Sequence, residues 1–145
     1  MKFLIIANNF FNIVNFRIDL INKIKTEFPE CKIILLAKFD GYEEQIIAGN
    51  PDYNLFNLKI NPRSMDLKSN FITFFYMLYV FLITKPKLVI SYTVKPNFFC
   101  CIFKYFFNFK LIANITGLGE LYLNKHKKNK FIFSLYGKFL KKSNK

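Results

Sequence analysis

One ten-residue stretch, residues 88–97, constrains the fold more than any other part of the chain. It has the sequence Leu-Val-Ile-Ser-Tyr-Thr-Val-Lys-Pro-Asn. Its unbroken apolar start, rich in β-branched residues, predicts a strand buried on both faces, as in a parallel sheet. The hydroxyl groups and the Lys-Pro-Asn that follow predict a polar loop and then a helix, with Asn97 at its N-cap. Open parallel sheets bind their ligands in such loops, beyond the carboxyl ends of the strands.

The rest of the chain alternates short apolar runs with segments of helical periodicity. Further strands are predicted at residues 2–8, 31–39, 53–60 and 111–116. Helices are predicted at residues 16–28, 42–48, 70–84, 97–109 and 131–140. This alternation predicts an α/β fold built on a doubly wound parallel sheet.

The helix predicted at residues 70–84 contains no charged residue. A membrane-spanning helix needs about 20 apolar residues, so a segment of this length favours a buried core helix. A helix that dips into one leaflet and a true span are the alternatives. The helix predicted at residues 97–109 is also apolar, with Lys104 as its only charge.

The formal charge of +13 is concentrated in residues 124–145, which contain eight Lys and no acidic residue. Lys outnumbers Arg 20 to 2 in the whole chain. Because Arg is the residue that forks onto phosphates and base edges, nucleic acid is not the expected partner. An anionic membrane surface or a phosphate-bearing substrate fits this composition at least as well.

The three cysteines, Cys31, Cys100 and Cys101, have no metal-ligand spacing. We expect them to be small buried side chains in a reducing compartment, and no metal site is predicted. The start of the chain has a short apolar run without a small-residue cleavage site, so a cytoplasmic location is expected.

Two polar loops carry candidate binding residues. Tyr92, Thr93, Lys95 and Asn97 offer hydroxyl, ammonium and amide groups at a helix start, which suits an anionic oxygen such as a phosphate. A simple turn and helix cap explains the same residues equally well. Asn8 and Asn9, at the end of the first strand, could hold phosphate or sugar hydroxyls beside Arg17, or could form an ordinary connection.

A second glycine-containing loop follows the strand predicted at residues 111–116. Thr116, Gly117 and Gly119 would allow a ligand to approach the backbone closely, because glycine accepts unusual dihedral angles. An ordinary tight turn is the favoured alternative when this loop is considered alone.

Together these segments resemble the N-terminal half of a bacterial family-4 glycosyltransferase of the Rossmann-like GT-B fold. The matching pieces are Ile-Ile-Ala-Asn-Asn with Asn-Phe-Arg, then Tyr-Thr-Val-Lys-Pro-Asn, then Asn-Ile-Thr-Gly-Leu-Gly, in that order. The likeness covers nearly all of residues 1–123, which we take as one domain. Residues 124–145 are expected to be a Lys-rich helical tail.

The resemblance implies a retaining transfer of a sugar from a nucleotide-sugar, UDP-linked, to an undecaprenyl-diphosphate-linked saccharide in surface-polysaccharide or glycoprotein biosynthesis. It implies no obligatory metal or cofactor. The donor-side residues would be Asn8, Asn9 and Arg17. The acceptor-side residues would be Tyr92, Thr93, Lys95, Asn97, Thr116, Gly117 and Gly119. Ile115 to Gly117 stand where many relatives have a histidine, so no catalytic residue is assigned.

The resemblance also implies peripheral association with the inner face of the plasma membrane. The nucleotide-binding C-terminal domain of such enzymes has no counterpart in the sequence, so the chain is expected to be inactive alone. It would be either a truncated gene product or one half of a split enzyme that a second chain completes. The alternative is a non-catalytic membrane-associated module that binds a lipid phosphate or recruits a transferase.

Overall fold

The computed structural model of the chain describes residues 1–60 and 66–114. Within these residues, five strands alternate with helices. The strands are β1 (Lys2–Asn9), β2 (Lys32–Lys38), β3 (Asn54–Asn57), β4 (Leu88–Tyr92) and β5 (Lys110–Asn114). The helices are α1 (Phe10–Phe16), α2 (Ile18–Glu27), α3 (Glu43–Gly49), α4 (Leu67–Thr84) and α5 (Val94–Phe103).

The five strands form one parallel sheet in the order β3-β2-β1-β4-β5. The chain builds outward from β1 through β2 to β3, and then crosses back to place β4 on the other side of β1. Phe3 lies opposite Leu88, and Ile6 lies opposite Ser91. The predicted α/β doubly wound sheet is therefore confirmed, and its order reverses between β1 and β4.

Both faces of the sheet are buried, which explains why its central strands are continuous apolar runs. Alternate side chains of β1 point to opposite faces. Phe3 and Ile5 pack with residues of α1, α2 and α3, whereas Leu4 and Ile6 pack with residues of α4 and α5. Helices α1, α2 and α3 thus cover one face of the sheet, and α4 and α5 cover the other.

The core beneath α4 and α5 contains a cluster of aromatic rings among aliphatic side chains. The ring of Phe81 lies 4.9 Å from that of Phe103, 5.2 Å from that of Phe109 and 5.8 Å from that of Phe107, centroid to centroid. Phe74 adds a contact with Phe103 at 5.0 Å. Tilted and edge-on ring pairs of this kind stabilise a core beyond the area that they bury.

The three cysteines are free and buried, as predicted. Burial raises the pKa of the Cys100 thiol far above its usual value, and a hydrogen bond with Ser91 opposes that rise. These thiols therefore act as small core side chains.

The structure corrects two predicted helices. The helix predicted at residues 16–28 is α2, which spans only Ile18–Glu27. The preceding helix α1, capped by Asn9, was not predicted, and the chain breaks at Arg17 between the two helices. The helix predicted at residues 97–109 begins earlier, at Val94, and ends at Phe103. The cap of this helix is Thr93, so the predicted N-cap at Asn97 is wrong.

The other predicted elements are present with shifted ends. The third strand is only four residues long, and α4 begins three residues before its predicted start. The end of the predicted strand 111–116, the predicted helix 131–140 and the division at residue 123 lie outside the described residues.

Helix α4 is buried on one face and exposed on the other. Thr73, Met77, Val80, Phe81 and Thr84 face the core, whereas the outward positions are apolar and exposed. The favoured expectation of a buried core helix is therefore correct for one face only. Among the described residues α4 is the helix that, by length and a mean hydropathy of 1.4, could cross a membrane.

Replacing phenylalanine by alanine should change the free energy of unfolding unequally on the two faces of α4. Phe81→Ala removes a fully buried ring and should lower the free energy of unfolding by about 3–5 kcal/mol. Phe75→Ala, on the exposed face, should change it by less than about 1 kcal/mol. Urea denaturation followed by circular dichroism measures both, and equal losses would contradict the packing described here.

Candidate functional site

The predicted binding residues meet where the order of the strands reverses. Asn8 and Asn9 end β1. Tyr92 ends the neighbouring β4, and Thr93 follows it. The connections from β1 and β4 leave on opposite faces of the sheet, so a crevice forms between them. In open parallel sheets, this crevice is the usual place for a ligand.

A hydrogen bond joins the ends of the two strands directly. The hydroxyl of Thr93 donates to the side-chain oxygen of Asn8 over 2.8 Å, although the residues are 85 positions apart in sequence. Asn8 lies where the pairing of β1 with β2 shifts register, between Ile6 and Asn9. Such irregularities at strand ends redirect side chains next to functional sites.

Arg17 and Tyr92 form a second contact across the crevice. Arg17 lies at the break between α1 and α2, and its guanidinium carbon is 4.3 Å from the centre of the Tyr92 ring. The Tyr92 ring is almost completely buried, and this burial raises the pKa of its hydroxyl, while the nearby guanidinium acts in the opposite direction. The residues predicted as a donor side and an acceptor side therefore form one cluster in this structure.

Thr93 has an unusual backbone conformation, with φ 72° and ψ 163°. A β-branched residue in this region carries strain of about 1–3 kcal/mol, because the region is used almost only by glycine. The sharp turn allows α5 to begin immediately after β4. It brings Lys95, in the first turn of α5, next to the crevice.

Lys95 is half-buried, and this burial lowers the pKa of its ammonium group. The N-terminal turn of α5 contains no acidic residue. A partly desolvated ammonium beside a helix N-terminus attracts an anion, which would in turn favour the charged form of the lysine.

Asn97 has a different position from the other predicted residues. Its side chain is fully buried, accepts a hydrogen bond from the Ser91 hydroxyl and donates to the Asn114 carbonyl oxygen over 3.0 Å. It thereby joins β4, α5 and β5. This arrangement fixes the positions of β4 and α5, from which Tyr92 and Lys95 reach the crevice.

Asn9 and an unpredicted residue, Asp40, occupy the start of α1. The side chain of Asn9 accepts from the backbone N–H of Asn12, and the Asp40 carboxylate accepts from that of Phe11 over 3.1 Å. An anionic ligand at this helix start would have to displace the Asp40 carboxylate. The signal for Asp40 in the sequence is its position just after β2 and directly before a glycine. That glycine, Gly41, has a φ of 91°, which favours glycine over any other residue.

Thr116, Gly117 and Gly119 lie outside the described residues, so the structure shows no position for them. Among residues 1–60 and 66–114, no group of three or more His, Cys, Asp or Glu side chains could hold a metal ion. The cluster at the crevice is made instead of amide, hydroxyl, guanidinium and ammonium groups. These groups suit oxygen-rich and anionic ligands.

The strand order and the polar switch-point cluster define the class of this domain. It is a Rossmann-like α/β domain with the fold expected for the N-terminal half of a GT-B glycosyltransferase. The structure of a sucrose-phosphate synthase from Thermosynechococcus elongatus is similar to it, with a TM-score of 0.58 over 91% of this chain and 68% of that one. The two share 9% sequence identity, so the similarity concerns the fold.

Comparisons by sequence give no match. No family model matches the chain, and no curated protein matches it.

The strained turn at Thr93 predicts an unusual order of stabilities. Thr93→Gly and Thr93→Ala both remove the hydrogen bond to Asn8, but only glycine accepts the backbone conformation freely. The glycine variant should be more stable than the alanine variant by about 1–3 kcal/mol in urea denaturation. An alanine variant as stable as the glycine variant would show that the turn is not strained.

Proposed function

We propose that the chain supplies the acceptor-side domain of a glycosyltransferase. The reaction is a retaining transfer of a sugar from a UDP-linked nucleotide-sugar to an undecaprenyl-diphosphate-linked saccharide, in surface-polysaccharide or glycoprotein biosynthesis. The observation that carries this proposal is the polar cluster at the β1/β4 switch point of a GT-B-like sheet. The resemblance of the motifs to family-4 enzymes supports the finer assignment.

The cluster contains the groups that a diphosphate-linked substrate requires. The guanidinium of Arg17 lies over the Tyr92 ring, and this cation–π contact holds it at the crevice. One of its N–H groups donates to the Phe16 carbonyl oxygen over 3.0 Å, which fixes the guanidinium further. In the proposed reaction Arg17, with Asn8 and Asn9, faces the phosphates of the donor, and a phosphate that reaches Asn9 displaces the Asp40 carboxylate from the start of α1.

Lys95 and the hydroxyl of Thr93 face the acceptor in this proposal. The ammonium group binds the diphosphate of the lipid carrier, and the first N–H groups of α5 add to the positive potential. Because burial already lowers the pKa of Lys95, the gain from pairing with a phosphate is larger than it would be for a solvated lysine.

A second Rossmann-like domain completes the proposed enzyme and binds the nucleotide of the donor. It belongs either to the same polypeptide or to a partner chain, and the described sheet is inactive without it. The enzyme works in the cytoplasm against the inner face of the plasma membrane, where its lipid-linked acceptor is held.

A transfer assay tests the proposal. A panel of radiolabelled UDP-N-acetylhexosamines is offered with an undecaprenyl-diphosphate-sugar acceptor, to this chain alone and to the chain with the product of the adjacent reading frame. Label should pass to the lipid only when the second domain is present. If the folded protein binds lipid phosphate without transfer in either case, the alternative of a non-catalytic binding module replaces the enzyme.

Lys95→Ala tests the acceptor side of the site. In the completed enzyme this change should raise the acceptor KM by roughly 10- to 100-fold, because a charge-assisted hydrogen bond to phosphate is lost. Lys104→Ala, at the other end of α5, is the matched control and should leave the acceptor KM unchanged.

The free energy of unfolding of the same variant, measured by urea denaturation, separates an effect on binding from an effect on folding. An unchanged acceptor KM in the Lys95→Ala enzyme would remove Lys95 from the site.

A further inference from the structure

In the part of the chain that the structure describes, α4 carries more exposed large apolar side chains than any other element. We call the outward side of this helix the outer face of α4 and define it by six residues whose side chains are between 46% and 60% exposed. They are Phe71, Ile72, Phe75, Tyr79, Leu82 and Ile83. At 1.5 Å per residue, this face is about 18 Å long. It contains no charged or amide side chain.

The opposite side of α4 holds the helix in place. Met77, Val80 and Phe81 are fully buried against the sheet and against α5. The hydroxyl of Thr73 donates to the Lys59 carbonyl oxygen over 2.9 Å and so ties the helix to the segment after β3. The helix can therefore present its outer face to an apolar medium without leaving the core, lying along a surface and not crossing it.

A basic cavity adjoins the N-terminal end of the outer face. It has a volume of about 500 Å³ and is lined by Lys38, Lys59 and Lys68, together with Asp66 and Ile72. Asp66 also caps α4, because its carboxylate accepts from the backbone N–H of Ser69 over 2.9 Å. Three lysines and one aspartate are thus among the lining residues, so basic residues outnumber acidic ones around the cavity.

The cavity and the outer face are continuous, because Ile72 belongs to both. At the other end of α4, Lys85 and Lys87 are exposed. An apolar stripe with lysines at both ends matches the interface of an anionic bilayer, where acyl chains lie beneath a layer of phosphates. A second copy of the chain fits this surface less well, because pairing through it would bring lysines together.

We propose that the outer face of α4 and the basic cavity form one docking surface for an anionic bilayer. The apolar side chains enter the boundary between headgroups and acyl chains, and the lysines contact lipid phosphates. Lys38 ends β2 and Asn57 ends β3, so the cavity lies at the carboxyl edge of the sheet, the same edge as the switch-point cluster. Docking therefore brings that cluster near the membrane plane, a consequence that rests on the proposed function.

Sedimentation with vesicles tests the docking surface on the full chain. The probes are vesicles of phosphatidylcholine alone and of phosphatidylcholine with phosphatidylglycerol. Ile72→Glu should weaken binding to the anionic vesicles roughly 10-fold or more, since it removes apolar area and places a carboxylate at the phosphates. Ile47→Glu is the matched control, because Ile47 is 52% exposed, close to the 50% of Ile72, and belongs to a helix on the other face of the sheet. This control alters the net charge by the same amount but lies away from the docking surface. It should therefore change binding less than about twofold.

Tryptophan fluorescence provides a second measurement that does not depend on a charge in the apolar face. The chain contains no tryptophan, so a single one reports its own surroundings. The Phe75→Trp variant should show a blue shift of its emission when anionic vesicles are added. The Leu20→Trp variant, with a partly exposed position on α2, should not.

Several outcomes would overturn the docking surface. These are absence of vesicle binding by the unmodified chain, equal weakening by Ile72→Glu and Ile47→Glu, or an unchanged emission from the Phe75→Trp variant. A dimer in solution that Ile72→Glu dissociates, with vesicle binding unaltered, would assign the face to a second copy. Transfer of sugar by the completed enzyme to a water-soluble acceptor analogue separates the docking surface from the proposed glycosyltransferase function. This transfer would persist if only the docking surface were wrong.

Discussion

The parallel pairing of β1 with β4 is the constraint on which the rest of the structure depends. It reverses the direction in which the sheet is built, sends the connecting helices to opposite faces and opens a crevice at the carboxyl ends of the two strands. The hydrogen bond from Thr93 to Asn8 closes the contact between these ends. Because the pairing joins segments more than 80 residues apart, the position of the crevice is a property of the whole topology and not of one local motif.

The class of the fold was predictable because its signals are local. Apolar strands such as residues 88–92 and the periodicity of α2 are legible in any window of ten residues. The ends of elements were less predictable, since they depend on distant partners. Nothing near Thr93 in the sequence indicates a positive φ. Because of this turn, α5 begins three residues before its predicted start, and Asn97 becomes a buried link between β4 and β5. The contact of Arg17 with Tyr92 was equally hidden, because it requires knowing that β1 and β4 are neighbours.

Several features of the crevice work against stability, and the surrounding structure compensates for them. Thr93 is strained, and Lys95 is partly desolvated. The buried hydrogen bonds of Asn97 with Ser91 and Asn114 fix the strand and helix from which these two residues project. Strain of this kind persists only where neighbouring contacts define the backbone fully. Backbone strain and a shifted lysine pKa are features that concentrate at ligand-binding sites, and they support the anion site proposed above.

The two surfaces at the carboxyl edge of the sheet place different physical demands on a partner. The switch-point cluster contains polar and cationic groups at the crevice between β1 and β4, and in the proposed function these groups contact a headgroup. The outer face of α4 is long and apolar, so in the proposed docking it suits an extended apolar medium. A substrate with a diphosphate attached to a long hydrocarbon satisfies both demands only if the hydrocarbon stays in a bilayer against α4 while the diphosphate reaches the crevice. Helix α4 runs from the carboxyl edge of the sheet at Leu67 to the opposite edge at Thr84, so the N-terminal end of the proposed docking surface shares an edge with the crevice.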